Sequence, residues 1–256
     1  MKEIDDSKAP LLDHLIELRS RLLKCVAAIA VCFIVCFYFA KDLFAIIVHP
    51  LVVAGQGKII YTKLYEAFFT EVKVAFFAAM MLSFPILANQ LWQFVAPGLY
   101  RNEKRAFLPF LLMTPVLFAA GAALAYFLAM PTAFHFLLSY QGDLGGIQQE
   151  ALPAVGDYLS FAMQFIFGFG LAFLLPILLM LLERAGIVSR AQLKSGRRYA
   201  IVGAFAIAAV LTPPDVVSQL MLAIPLVILY ELSLIGIWFT ERRRARDMGA
   251  PSPAGE

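Results

Sequence analysis

Two glutamates stand beside arginines in patterns that suit the binding of a guanidinium group. Glu17 and Arg21 are four residues apart in an amphipathic run, 11–22, directly ahead of a long apolar segment. Glu103 lies in a short charged turn with Arg101, Lys104 and Arg105. A carboxylate can take the planar fork of an arginine through two parallel hydrogen bonds, a geometry that a lysine ammonium does not offer. For Glu17 two readings stand. One is an i,i+4 pair with Arg21, worth about 0.3 to 0.5 kcal/mol; the other is a carboxylate held at a membrane surface for a partner's guanidinium. Glu103 falls in the first turn of the helix that follows, where the helix dipole favours it, and Lys104 and Arg105 are placed to neutralise it.

Other chemistry is absent from the sequence. There is no Gly-x-x-x-x-Gly-Lys-Ser/Thr loop for a nucleotide, no Gly-x-Ser-x-Gly, no His-Glu-x-x-His and no Ser/His/Asp set. An enzyme is not expected, and no cofactor is implied. His14, His49 and His135 are scattered, and Cys25, Cys32 and Cys36 share one apolar segment, which gives neither metal spacing nor a disulfide framework. The remaining candidates are polar residues in or beside apolar segments, expensive there and functional by default: Asp215 after Thr212-Pro213-Pro214, Gln219 and Glu231.

The elements that must position these residues follow from composition. The 256 residues are 61% hydrophobic and only 15% charged, with a mean hydropathy of +0.80. A soluble globule is excluded. Six stretches carry no Asp, Glu, Lys or Arg: 25–40, 74–100, 106–142, 158–182, 199–214 and 216–230. Each approaches the roughly 20 residues that cross the hydrocarbon core as a helix. None alternates as an outer-membrane strand does. The sequence therefore predicts an all-α integral membrane protein, a six-transmembrane-helix bundle in domain 25–240, preceded by an amphipathic cytoplasmic segment 1–24 and followed by a basic, disordered cytoplasmic tail 241–256.

Orientation comes from the basic residues. With an even number of spans, 17 Lys and Arg fall on the side of the termini and four on the other, so both termini are predicted to be cytoplasmic. The net charge of +3 is a topology signal and gives no reason to expect nucleic acid; the arginines of the tail suit anionic lipid. The third span is predicted to be overlong and kinked at Pro109, Pro115 and Pro131. By charge-free length the fifth and sixth are short, unless Glu231 lies near the inner interface and the sixth continues to Thr240, and the four-residue turn between them makes them antiparallel neighbours. The apolar run 43–55 is too short to span, and His49-Pro50 is expected to interrupt it at the outer interface.

Three motifs in order add a resemblance. His14-Leu15-Ile16-Glu17-Leu18-Arg19-Ser20-Arg21, then Phe94-Val95-Ala96-Pro97-Gly98-Leu99-Tyr100 with Glu103 and Arg105, then Val202-Gly203-Ala204-Phe205 through Leu211-Thr212-Pro213-Pro214-Asp215, together resemble the TatC family of the twin-arginine protein translocase. The likeness runs from about Leu11 to Thr240. It implies a receptor core in the bacterial inner membrane that binds twin-arginine signal peptides from the cytoplasm. It further implies assembly, as homo- and hetero-oligomers, with single-span TatA-type and TatB-type partners, and export of folded proteins on the proton-motive force. By position, Glu17 and Glu103 match the family's acidic signal-peptide site, with Arg19, Leu22, Phe94, Pro97 and Arg105 around it. Asp215, Gln219, Glu231, Pro50 and Tyr126 match positions of partner contact or structure; their plain readings are a turn, an amide bond within the bundle, a helix-to-helix polar contact, a kink and aromatic packing. In one place the chain departs from the pattern: Leu174 stands where many relatives carry a polar or acidic residue. The alternative of another class is a small-molecule permease, against which the lack of an inverted repeat weighs.

Overall fold

The computed structural model describes residues 9–99, 104–212 and 215–247, with side chains for most of them. Among these residues the chain is almost wholly helical. In order come α1 (Ala9–Tyr38), α2 (Ala40–Val53), α3 (Glu66–Leu99), α4 (Lys104–Leu124), a π-helical turn Ala125–Ala129 and α5 (Met130–Leu138). A small antiparallel hairpin follows, β1 (Gly142–Leu144) with β2 (Ile147–Gln149), and then α6 (Val155–Ala172), α7 (Leu175–Arg184), α8 (Arg190–Ser195), α9 (Arg197–Leu211) and α10 (Val216–Asp247). Five stretches are long and apolar enough to cross a membrane: Leu15–Tyr38, Glu66–Phe94, Phe110–Leu138, Val155–Arg184 and Val216–Arg242. The fifth apolar run of the sequence forms α9, which has 15 residues. At ~1.5 Å of rise per residue that is a helix of about 22 Å, short of a full crossing.

Several expectations need correction. The last helix is long, not short: α10 runs for 32 residues. Glu231 does not end it, because its carboxylate is paired with Arg197 at 2.8 Å and the apolar pattern resumes at once. The helix continues to Asp247 through Glu and Arg, both good helix formers, with the Arg242 guanidinium 4.9 Å from the centre of the Trp238 ring. Pro50 does not interrupt α2 but sits buried within it. Its ring brings no N–H to the helix ladder. Separately, the Tyr158 hydroxyl ties α6 to α2 by donating to the carbonyl of Ile47 at 2.7 Å. In the third span, Pro109 and Pro115 lie inside regular α4. The irregularity is the π turn ahead of Pro131, where the ring removes a donor and the ladder widens. A break that composition did not announce parts α6 from α7 at Phe173 and Leu174, two residues before Pro176.

The chain divides into two compact units, Met1–His49 with Ile59–Pro115 and Pro153–Leu159, and Pro50–Lys58 with Val116–Leu152 and Ser160–Glu256. In the first, α1 lies along α3 through small side chains: Cys36, Ala40, Ala75 and Ala79 form a buried seam with Phe33 and Leu43 packed on it. Small residues let two backbones approach where lipid supplies no hydrophobic drive between helices. At the far end of α3, the Glu66 carboxylate accepts from the backbone N–H of Thr62 (2.6 Å), of Lys63 (3.1 Å) and of Gly156 (2.8 Å). A Cβ at position 156 would lie 2.8 Å from that carboxylate and would push it aside. Beside it, Ile60 pairs in parallel with Ala154, which clips the loop before α3 to the start of α6.

In the second unit α10 is the hub, packed on α7, α8, α9, α5 and the π turn. Gly121 meets the Phe169 carbonyl and the Phe173 ring, and Gly170 meets Phe118, so α4 and α6 cross at two glycines. Leu193, Tyr230, Leu234 and Ile237 make a buried cluster, and the Tyr230 hydroxyl donates to the Leu193 carbonyl at 2.7 Å.

Candidate functional site

The amino-terminal end of α1 carries the polar chemistry. The amphipathic run and the first apolar segment form a single helix, so residues four apart share a face. On that face Arg21 donates to Glu17 Oε1 from Nε at 3.0 Å and from Nη2 at 2.5 Å. Its Nη1 donates to Oε1 of Gln93, on α3, at 2.8 Å. Gln93 in turn donates from Nε2 to Asn89 Oδ1 at 2.8 Å, which turns the amide oxygen toward Arg21. One residue back on α3, Trp92 Nε1 donates to the Thr114 hydroxyl of α4 at 2.8 Å, and that hydroxyl donates to the Phe110 carbonyl. The end of α3 is thus fixed on one side to α1 and on the other to α4. The two sides of the ion pair differ in access: the Glu17 side chain is 37% exposed and that of Arg21 only 17%.

Of the residues singled out in the sequence, the structure brings Glu17 together with Arg21 and with α3, where Phe94 follows Gln93 in the same turn. It does not bring Arg19 and Leu22 to the same face. At roughly 100° per residue they stand about 140 to 200° around α1 from Glu17, and both are exposed. Pro97 and Arg105 are placed by their backbone alone, in the last turn of α3 and the first of α4. Glu103 lies outside the described residues. Gln93, Asn89, Trp92 and Thr114 are additions that the structure makes to the site. Their signal in the sequence is two amides at i,i+4 and an indole at the end of an otherwise apolar helix, where polar groups need partners.

The remaining candidates belong to the second unit. Asp215 Oδ1 accepts from the backbone N–H of Ser218 at 2.7 Å. It so caps α10, as a short acidic side chain ahead of a helix does. The Asp215 Oδ2 and the Ser218 hydroxyl are buried without partners among the described residues. Gln219 Nε2 donates to the Phe205 carbonyl at 3.3 Å, joining α10 to α9. Glu231 makes the helix-to-helix contact with Arg197, and Arg190 adds a second at 3.6 Å to Glu241. Tyr126 sits in the π turn, edge-on to Phe127 at 4.8 Å. Along α10, Val216, Leu220, Ile224, Ile228, Leu232 and Ile235 form an exposed apolar stripe. A groove of about 360 Å³ borders it, walled by Leu124, Leu128, Met221 and Pro225 among others.

Long apolar helices, with polar contacts concentrated at their ends and turns, define a multi-pass helical membrane protein. Comparison narrows the class. The model of the family described as Sec-independent protein translocase protein (TatC) matches residues 13–225. The Sec-independent protein translocase protein TatC of Magnetococcus marinus is 48% identical over 247 residues, covering 96% of this chain and 90% of that one. Its counterpart in Escherichia coli K12 is 41% identical, covering 93% and 90%. A crystal structure of the twin-arginine translocase receptor TatC superposes with a TM-score of 0.74 at 39% identity, over 90% of this chain and all of that one. The chain belongs to the TatC family. It is a protein-translocase subunit and not an enzyme, and the permease reading is not favoured.

Proposed function

We propose that this chain is the signal-peptide receptor of a twin-arginine translocase in a bacterial inner membrane, with Glu17 and Glu103 as the acidic groups that take the paired arginines. One observation carries the reading: the half-exposed Glu17 carboxylate already holds a guanidinium, donated by Arg21. The chemistry required of the site is therefore chemistry its surroundings permit. Charged hydrogen bonds of about 1.5 to 3 kcal/mol each separate an arginine pair from a lysine pair. In this reading α9 is the fifth of six spans, its short length met by a locally thinned bilayer or by snorkelling flanks, and both termini are cytoplasmic. Single-span partners of the TatA and TatB type pack along α9 and α10. The exposed apolar stripe of α10, too regular to be scattered surface residues, supports that placement.

Photo-crosslinking tests the reading. A twin-arginine signal peptide with a photoreactive group beside the arginines is expected to label the chain near Glu17 and Glu103, and a Lys-Lys peptide is not. Equal labelling by both peptides, or labelling confined to α10, would overturn it.

A further inference from the structure

The Glu17 carboxylate that an incoming arginine needs is occupied by the chain's own Arg21. We propose that Arg21 is a resident competitor at this site and Gln93 its resting place, so that a peptide guanidinium exchanges with Arg21 on Glu17 instead of filling an open position. This rests on the reading of Glu17 given above.

The geometry supports exchange. Arg21 is held at two points, Glu17 Oε1 through Nε and Nη2 and Gln93 Oε1 through Nη1. Loss of the first leaves the second in place, and Asn89 keeps the Gln93 oxygen aimed at the guanidinium. Arg21 is the more enclosed partner and Glu17 the more accessible one, so a ligand meets the carboxylate first. The pair lies within one helix, four residues apart, and Arg21 keeps its bond to Gln93 on α3 when the pair opens. Electrostatics give the competition its sign. Toward an approaching cation the closed pair is neutral, whereas the carboxylate without Arg21 carries a full negative charge, and at contact distances in a partly dry site that difference is felt. A resident competitor weakens every cationic ligand by the same factor and leaves the ratio between two ligands unchanged.

The test uses the full chain in lipid nanodiscs and fluorescent synthetic signal peptides, one with Arg-Arg and one with Lys-Lys. Arg21→Gln is expected to tighten both by about two- to fivefold, the factor that an exposed ion pair commands, with the ratio between them kept. Unchanged or weakened binding of the Arg-Arg peptide overturns the proposal, as does tightening of one peptide alone. A second variant guards against misfolding of the first. Because Arg21 keeps its bond to Gln93 whether or not it is on Glu17, Gln93→Leu is expected to leave Arg-Arg binding unchanged, alone and beside Arg21→Gln; a loss in either background assigns Gln93 to the peptide and overturns its part. Glu17→Gln separates the two levels. If it leaves binding unchanged, the receptor site itself is wrong; if it weakens binding while Arg21→Gln fails to tighten it, only the exchange is wrong.

Discussion

Two glutamate–arginine pairs in this chain look alike in distance and differ in what they hold. Glu17 and Arg21 are neighbours on one helix, whereas Glu231 and Arg197 join α10 to α9 across 34 residues of sequence. Opening the first pair moves only side chains. Opening the second loosens a helix contact. A carboxylate meant to change partners suits the first arrangement, where its guanidinium stands on the same helix, and one meant to stay suits the second. Exposure does not make the distinction, because both carboxylates are partly open to solvent, at 37% and 42%. Connectivity does.

The sharpest way to break this contrast is the double variant Glu17→Gln with Glu103→Ala. It is expected to weaken twin-arginine peptide binding tenfold or more, from about 1.5 to 3 kcal/mol per charged hydrogen bond lost, with no change in the thermal unfolding of the purified protein. A fall in the melting temperature would place Glu17 with the staples. On the other side, Gly121→Ala puts a methyl group 2.5 Å from the Phe169 carbonyl. That is expected to cost about 1 to 3 kcal/mol of stability by overpacking, with peptide affinity of the folded fraction unaltered. Tyr230→Phe strips the donor from the buried Leu193 carbonyl. Denaturation in detergent should show a loss of about 1 to 1.5 kcal/mol. The smallest effect belongs to Glu231→Gln, a few tenths to about 1 kcal/mol for a pair this exposed; the same titration of stability reads it, and an effect on peptide binding instead would erase the distinction.

How much of this was legible in the sequence depended on where charge sat. Apolar runs bounded by charge located every long helix, and the end of the fourth, charge-free to 182, fell within two residues of Arg184. Treating charge as a boundary failed at Glu231, because a carboxylate with a partner can ride inside a helix. Prolines misled in both directions: Pro50, Pro109 and Pro115 are carried within helices, whereas Pro176, which no sequence pattern marks, follows the break between α6 and α7. A proline's effect depends on whether the surrounding helix absorbs the missing N–H, as the widened turn ahead of Pro131 does, and sequence alone does not record that. At the candidate site the charged pair was readable from its spacing. Gln93, Asn89, Trp92 and Thr114 were not, since neutral groups match no motif and reveal themselves only when helices bring them together.

The Glu66 clip has a mechanical consequence. One carboxylate gathers the N–H groups of Thr62 and Lys63 from the loop and of Gly156 from the next long helix, with the Ile60 and Ala154 backbones laced beside it. A pull on that loop is therefore a pull on the first turn of α6. Whatever leans on 60–63 reaches a membrane helix through backbone hydrogen bonds and one carboxylate.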